Sequence, residues 1–202
     1  MRFEYLTFLR YSPRGTSEKA KQSRLYLGKC KNGALEFNQN LVKAIKLANI
    51  SDYFDGATLV PVPRSTLTLP ESFLPTEVIA NVLVDNGIGN SVSLCLNRIK
   101  PIPKSSGQYN AGERNSVQTH LDSLDVTSLI IPEDKIIIVD DVLTLGRTAM
   151  AAAIKLKKAY PDKEIKIFSP FRTRGFHDDN VLTDIKKGYM ELSPFGKVIL
   201  PD

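Results

Sequence analysis

Cysteine and histidine are scarce in this chain, with two of each among its 202 residues. Cys30 and Cys95 are too few and too far apart for a disulfide framework or a zinc site. Cys95 falls in the apolar run 92–96 and reads as a core residue. His120 falls in an expected helix, where a surface or capping role is the default. His177, Asp178 and Asp179 are adjacent positions, and adjacent residues rarely close a metal site. Long apolar runs are missing too. None approaches the roughly 20 residues of a membrane-spanning helix, so no membrane partner is expected. The opening Met1-Arg2-Phe3-Glu4-Tyr5 lacks the basic-then-apolar order of a secretion signal, and a cytoplasmic location is expected. Repeats and low-complexity segments are also lacking.

What is present is an ordinary globular composition, 42% hydrophobic and 24% charged. With this length it fits one domain over 1–202. Charge is uneven. Residues 1–50 hold ten Lys or Arg against three Glu, so a charge of +7 lies there and −2 in the remainder. Arg10, Arg14, Lys19, Lys21, Arg24, Lys29 and Lys31 form most of this basic segment. Such a run is usually a solvated face; contact with nucleic acid or pyrophosphate is the alternative.

Hydrophobic periodicity alternates between strands and helices. Strands are expected at 3–11, 57–62, 92–96, 135–139 and 165–168. Helices are expected at 16–28, 35–48, 76–86, 113–124 and 147–160. That alternation argues for an α/β fold, a doubly wound parallel sheet. Residues 98–112, with Pro101, Pro103, Ser105, Ser106 and Gly107, read as loop. Residues 170–202 form an extension: a hairpin, a lid or a surface packed on a partner.

The most informative stretch is 135–148. The apolar run Ile136-Ile137-Ile138-Val139 suits a strand buried on both faces. It stops at Asp140-Asp141, where open α/β sheets bind ligands. Thr144, Leu145, Gly146, Arg147 and Thr148 follow, and then a helix-forming run. Such a loop turns successive backbone N–H groups toward an anion, helped by the helix end. Gly146 allows the unusual dihedral, and Thr148 is a candidate helix cap or phosphate donor. Carboxylates accept hydrogen bonds from sugar hydroxyls or hold a hydrated metal ion. A ribose 5-phosphate fits both halves of the pattern.

This stretch resembles the signature of type I phosphoribosyltransferases. The resemblance implies that the 144–148 loop holds the 5-phosphate of phosphoribosyl pyrophosphate (PRPP), and that Asp140 and Asp141 hold the ribose hydroxyls. Mg²⁺ would be held by the same two carboxylates, indirectly. Where the family usually has Thr or Ser, this chain has Leu145, which removes one hydroxyl donor. Val60-Pro61-Val62-Pro63-Arg64-Ser65 is similar to the competence-associated ComF branch, in which the loop at this place binds pyrophosphate. The order Arg98, Lys100, Lys104, Gln108, Glu113-Arg114 resembles the same branch. Its loop cations would close over PRPP, with Arg114 beside the acidic pair in catalysis. ComF-like chains often begin with a four-cysteine zinc ribbon, which this sequence does not supply. The resemblance covers about 50–170, leaving 1–49 and 171–202 as accessory segments.

Two functions follow. One is Mg²⁺-dependent transfer of a 5-phosphoribosyl group to a nitrogen nucleophile with release of pyrophosphate. The other is a non-catalytic PRPP or nucleotide binder, or a nucleic-acid-associated protein, on the same fold. The expected partners are PRPP, pyrophosphate, an unidentified nitrogenous acceptor, weak nucleic-acid contact through the basic segment, and a second copy of the chain.

Overall fold

Residues 136–139 are apolar at odd and even positions, and the fold buries both sets. Ile136 and Ile138 enter one core, Ile137 and Val139 the other. A strand can do this only with helices on both sides of its sheet. The computed structural model describes residues 1–104, 114–176 and 182–201. Ser105, Ser106, Gly107, Gln108, Glu113, His177, Asp178 and Asp179, all singled out above, lie outside the described residues.

In chain order the elements are β1 (Arg2–Tyr11), α1 (Glu18–Lys31), α2 (Leu35–Leu47), a 3-10 turn (Ser51–Phe54), β2 (Ala57–Pro61), α3 (Pro75–Asp85), β3 (Ser91–Val92), β4 (Leu96–Arg98), α4 (Val117–Ser123), β5 (Leu124–Val126), β6 (Lys135–Val139), β7 (Val142–Leu143), α5 (Arg147–Ala159), β8 (Glu164–Thr173), β9 (Thr183–Leu192) and β10 (Val198–Ile199). The main sheet runs β10-β9-β1-β8-β6-β2-β3, with β7 pairing to β8. From β1 to β3 every pairing is parallel; β9 and β10 add antiparallel strands at one edge. The chain is therefore α/β with a mainly parallel, doubly wound sheet. Helices α1, α2 and α3 cover one face through Leu27, Phe37, Leu41, Ile45, Ile79 and Leu83. Helix α5 covers the other through its alanines and Leu156, beside Val117 of α4. Small side chains along α5 let its axis lie close to the sheet.

Local chemistry explains most boundaries. The Ser17 hydroxyl accepts from Ala20 N–H and starts α1. Pro75 occupies the first turn of α3, and Gly87 follows its end at φ +76°.

Three expectations change. The strand expected at 92–96 is divided. Residues 91–92 pair with β2, then the chain turns away, and 96–98 joins 124–126 in a separate two-stranded ribbon. The helix expected over 113–124 is α4, which starts after Ser116, whose hydroxyl accepts from Thr119 N–H. The first 49 residues are no appendage: β1 lies inside the sheet between β9 and β8. Of the three readings of the tail, a hairpin forms. Strand β9 pairs with β1, and β10 folds back on β9.

Candidate functional site

The parallel register of β2 and β6 brings two distant stretches of sequence together. Pro61 is level with Val139, so residues 62–65 and the acidic pair leave the sheet side by side. Val62 N–H donates to the Val139 carbonyl at 2.9 Å. The Val62 carbonyl in turn accepts from the Thr76 hydroxyl at 2.8 Å. Val62 and Pro63 are buried, while Arg64 is exposed, its guanidinium over the Phe73 ring at 5.4 Å. These strand ends open into a cleft of about 700 Å³. Asp140 and Asp141, the whole 144–148 loop, residues 62–65, Arg98, Lys104 and Arg114 all line it. Lys100 does not; it is exposed beyond the cleft wall.

Asp140 is fixed by its N–H, which donates to the Phe168 carbonyl at 3.0 Å. Its carboxylate accepts from Asp141 N–H at 2.9 Å. Burial, and then the charge of Asp141, push the Asp140 carboxyl well above the usual carboxylate range, against the pull of Lys31. Asp141 pairs with Lys31 at the end of α1, at 3.2 Å. Burial disfavours the Lys31 ammonium, but Asp141 outweighs it and the net shift is upward.

The 144–148 loop begins where the Thr144 hydroxyl meets that of Thr173, at 2.8 Å. Gly146 is the N-cap of α5, at φ +66°, and among the described residues no side chain caps the helix. The positive end of the α5 dipole, with no side-chain cap among the described residues, is thus at the cleft lining, the arrangement that favours an anion. A Cβ on Gly146 would lie 3.1 Å from the Met190 Cε, so the β9–β10 hairpin supports the loop from behind. Thr148 is not the cap. It lies within the helix, and its hydroxyl is 3.3 Å from His120 Nε2. Arg147 turns its guanidinium to the carbonyls of Arg114, at 2.8 Å, and Asn115, at 3.3 Å. Asn115 donates to the Pro103 carbonyl at 2.7 Å, so residues 103 and 114–115 are held beside the 144–148 loop.

Arg98 has a different role from the one its sequence position implied. It is 2% exposed. Its guanidinium donates to the Arg64 carbonyl and the Ser123 hydroxyl, and burial pushes its pKa down to about 10. It holds the 64–68 turn from beneath, with Thr68 bonded to its backbone at 2.8 and 3.0 Å. His120, read as a surface or capping residue, is 3% exposed. Burial, with Arg98 and Arg147 nearby, pushes its pKa down to about 4.

No family model and no curated protein matches this chain. A solved structure does. It is an adenine phosphoribosyltransferase from Leishmania donovani, 11% identical, with a TM-score of 0.32. The similarity spans 87% of this chain and 79% of that one.

The wall that sequence reasoning missed is built by Tyr11, Leu27 and Lys31, from β1 and α1. The signal was partial. Ala20, Ser23, Leu27 and Cys30 are the buried residues of α1, and their helical spacing marks an inward face. No one-dimensional pattern says that the next residue, Lys31, reaches the acidic pair. Arg14 also lines the cleft, whereas three other cations of the basic segment are engaged outside it. Arg10 bonds Asp184, Arg24 bonds the Ser12 and Gly15 carbonyls, and Lys29 bonds Glu36.

Proposed function

We propose that the chain is a phosphoribosyltransferase that binds PRPP in this cleft and transfers its 5-phosphoribosyl group to a nitrogen nucleophile. The observation that carries the reading is the meeting of three chemistries in one cleft. These are an uncapped helix start at a left-handed glycine, two adjacent carboxylates, and seven Lys or Arg side chains. Such a cleft favours a polyanion that also carries hydroxyl groups.

In this reading the 144–148 loop takes the 5-phosphate, and Asp140 and Asp141 accept from the ribose hydroxyls. Arg64, Lys104 and Arg114 face the pyrophosphate. The acceptor nitrogen bonds to C1 as the C1–O bond breaks, and pyrophosphate leaves with the electron pair. Cations fixed before reaction stabilise the charge that builds on the leaving group. Arg98 contributes by fixing the turn that presents Arg64. Among the described residues no group of three His, Cys, Asp or Glu side chains makes a metal cage. Mg²⁺ commonly needs only one or two carboxylates with water and substrate phosphates, and Asp140 and Asp141 suit that indirect mode. Bound there, it would neutralise pyrophosphate charge. Placement in the ComF-like branch rests on the residues at 60–65 and 98–115 alone. A cytoplasmic setting belongs to the same proposal: no helix among the described residues is long and apolar enough to cross a membrane.

The test is calorimetric titration with PRPP and Mg²⁺, beside an Asp140→Asn/Asp141→Asn variant. Binding in the wild type and its loss in the variant are expected, followed by pyrophosphate release with a suitable acceptor. A wild type that does not bind PRPP sinks the reading. Leu145 favours a second one, a PRPP or nucleotide sensor, which predicts binding with no pyrophosphate release. A nucleic-acid reading would need steeply salt-dependent affinity that falls on neutralising Lys19, Lys21, Arg24 and Lys29.

A further inference from the structure

His120 lines the cleft from α4, where it shares the buried face with Val117 and Ser123. It is 3% exposed. Its Nε2 lies 3.3 Å from the hydroxyl of Thr148, which lines the cleft in the first turn of α5. Its Nδ1 is buried and has no hydrogen-bond partner among the described residues. Burial, with Arg98 and Arg147 nearby, keeps the ring uncharged at neutral pH. A neutral imidazole carries one N–H, so two arrangements are open. With the proton on Nδ1, Nε2 is an acceptor and takes the only proton of Thr148. That hydroxyl then turns lone pairs alone toward the cleft, and lone pairs repel an anion. With the proton on Nε2, the ring donates to Thr148 Oγ and the Thr148 proton is free to point into the cleft. Nδ1 goes unpaired either way, so the choice falls to Thr148. Only the second arrangement adds a hydroxyl donor to a helix start that already favours an anion.

We propose that His120 is a positioning residue: its Nε2–H donates to Thr148 Oγ and so aims the Thr148 proton at a phosphate held in the 144–148 loop. This rests on the loop being an anion site. The donors run in one direction, from imidazole to hydroxyl to phosphate, and each bond polarises the next. At 3.3 Å the first bond is long for N–H···O, and an anion that draws on the Thr148 proton shortens it.

The experiment uses the full chain, with ribose 5-phosphate as the probe. Long-range ¹H–¹⁵N correlation spectra read which ring nitrogen carries the proton, and His177→Gln leaves His120 as the one histidine of the chain. An Nε2–H ring is expected with the probe bound. In titrations Thr148→Val should weaken ribose 5-phosphate about tenfold, and His120→Leu severalfold. In the Thr148→Val background His120→Leu should change nothing further, because both residues act through one hydroxyl. A merely structural role for His120 makes the two losses multiply. Multiplying losses, an Nδ1–H ring with the probe bound, or a Thr148→Val variant that binds like wild type overturns the proposal. The ring spectrum decides even where His120→Leu does not fold. A separate PRPP titration distinguishes the two failures: PRPP binding beside an Nδ1–H ring overturns this inference alone. Failure of both ribose 5-phosphate and PRPP to bind overturns the transfer reading and this inference with it.

Discussion

Leu145 lines the cleft between Thr144 and Gly146, where a hydroxyl would add one donor to an anion site. Leu145→Thr should therefore tighten PRPP by about 1.5–3 kcal/mol, the worth of a hydrogen bond to a charged group. An unchanged dissociation constant would show that the backbone amides of the loop suffice. His120 is a stability device of opposite sign to a surface histidine. Its folded pKa, about 4, lies below the ordinary 6.5, so the unfolded chain takes up its proton first. The stability it contributes is fully present above about pH 6.5 and is lost as pH falls toward 4, by up to about 3 kcal/mol. Asp140, whose carboxyl is pushed up, acts in the other direction. The informative quantity is thus the difference between wild type and His120→Gln in denaturant melts across that range. The gap should close on acidification; a constant gap would show that His120 is not held neutral.

At the scale of elements, the loop before α5 depends on a backbone that only glycine adopts readily. Gly146→Ala should cost about 1–2 kcal/mol for its left-handed φ alone. The new Cβ also meets Met190, 3.1 Å away, and Leu200, 3.4 Å away. A melting temperature unchanged from wild type would show that the hairpin yields. Arg98→Ala should destabilise by about 2–3 kcal/mol, since it leaves a void and strips a donor from the Arg64 carbonyl. Its effect on pyrophosphate affinity should follow from the loosened turn, and would be tested beside Arg64→Ala. The elements were legible to unequal degrees, for physical reasons. Lys135–Val139 was readable to the residue because it is short, apolar and bounded by carboxylates. The strand at 92–96 was misread because Cys95 and Leu96 are buried outside the main sheet, and an apolar run does not say which partner covers it. The partners of Arg98 and His120 were illegible, since both depend on residues more than twenty positions away. So was Lys31, whose ion-pair partner Asp141 lies far along the chain.

For the whole molecule, the excess of cations over carboxylates in the cleft predicts a bulk electrostatic response. Pyrophosphate affinity should fall as salt rises from low to physiological strength, because partly exposed charges are screened. The Arg64→Ala variant should show a shallower slope, and equal slopes would remove Arg64 from the anion site. The position of β1 has a consequence in time. Its residues pair with Glu164–Thr173 on one side and Thr183–Leu192 on the other. A ribosome that has completed β1 must make most of the remaining chain before either partner exists. During that interval an apolar strand with two bare edges waits without a sheet, the condition that invites pairing with other chains. Closing the sheet is then a late, long-range event, and refolding should be slow for a protein of this size. Nascent chains stalled before residue 164 should remain open to protease, whereas those released beyond residue 192 should become resistant.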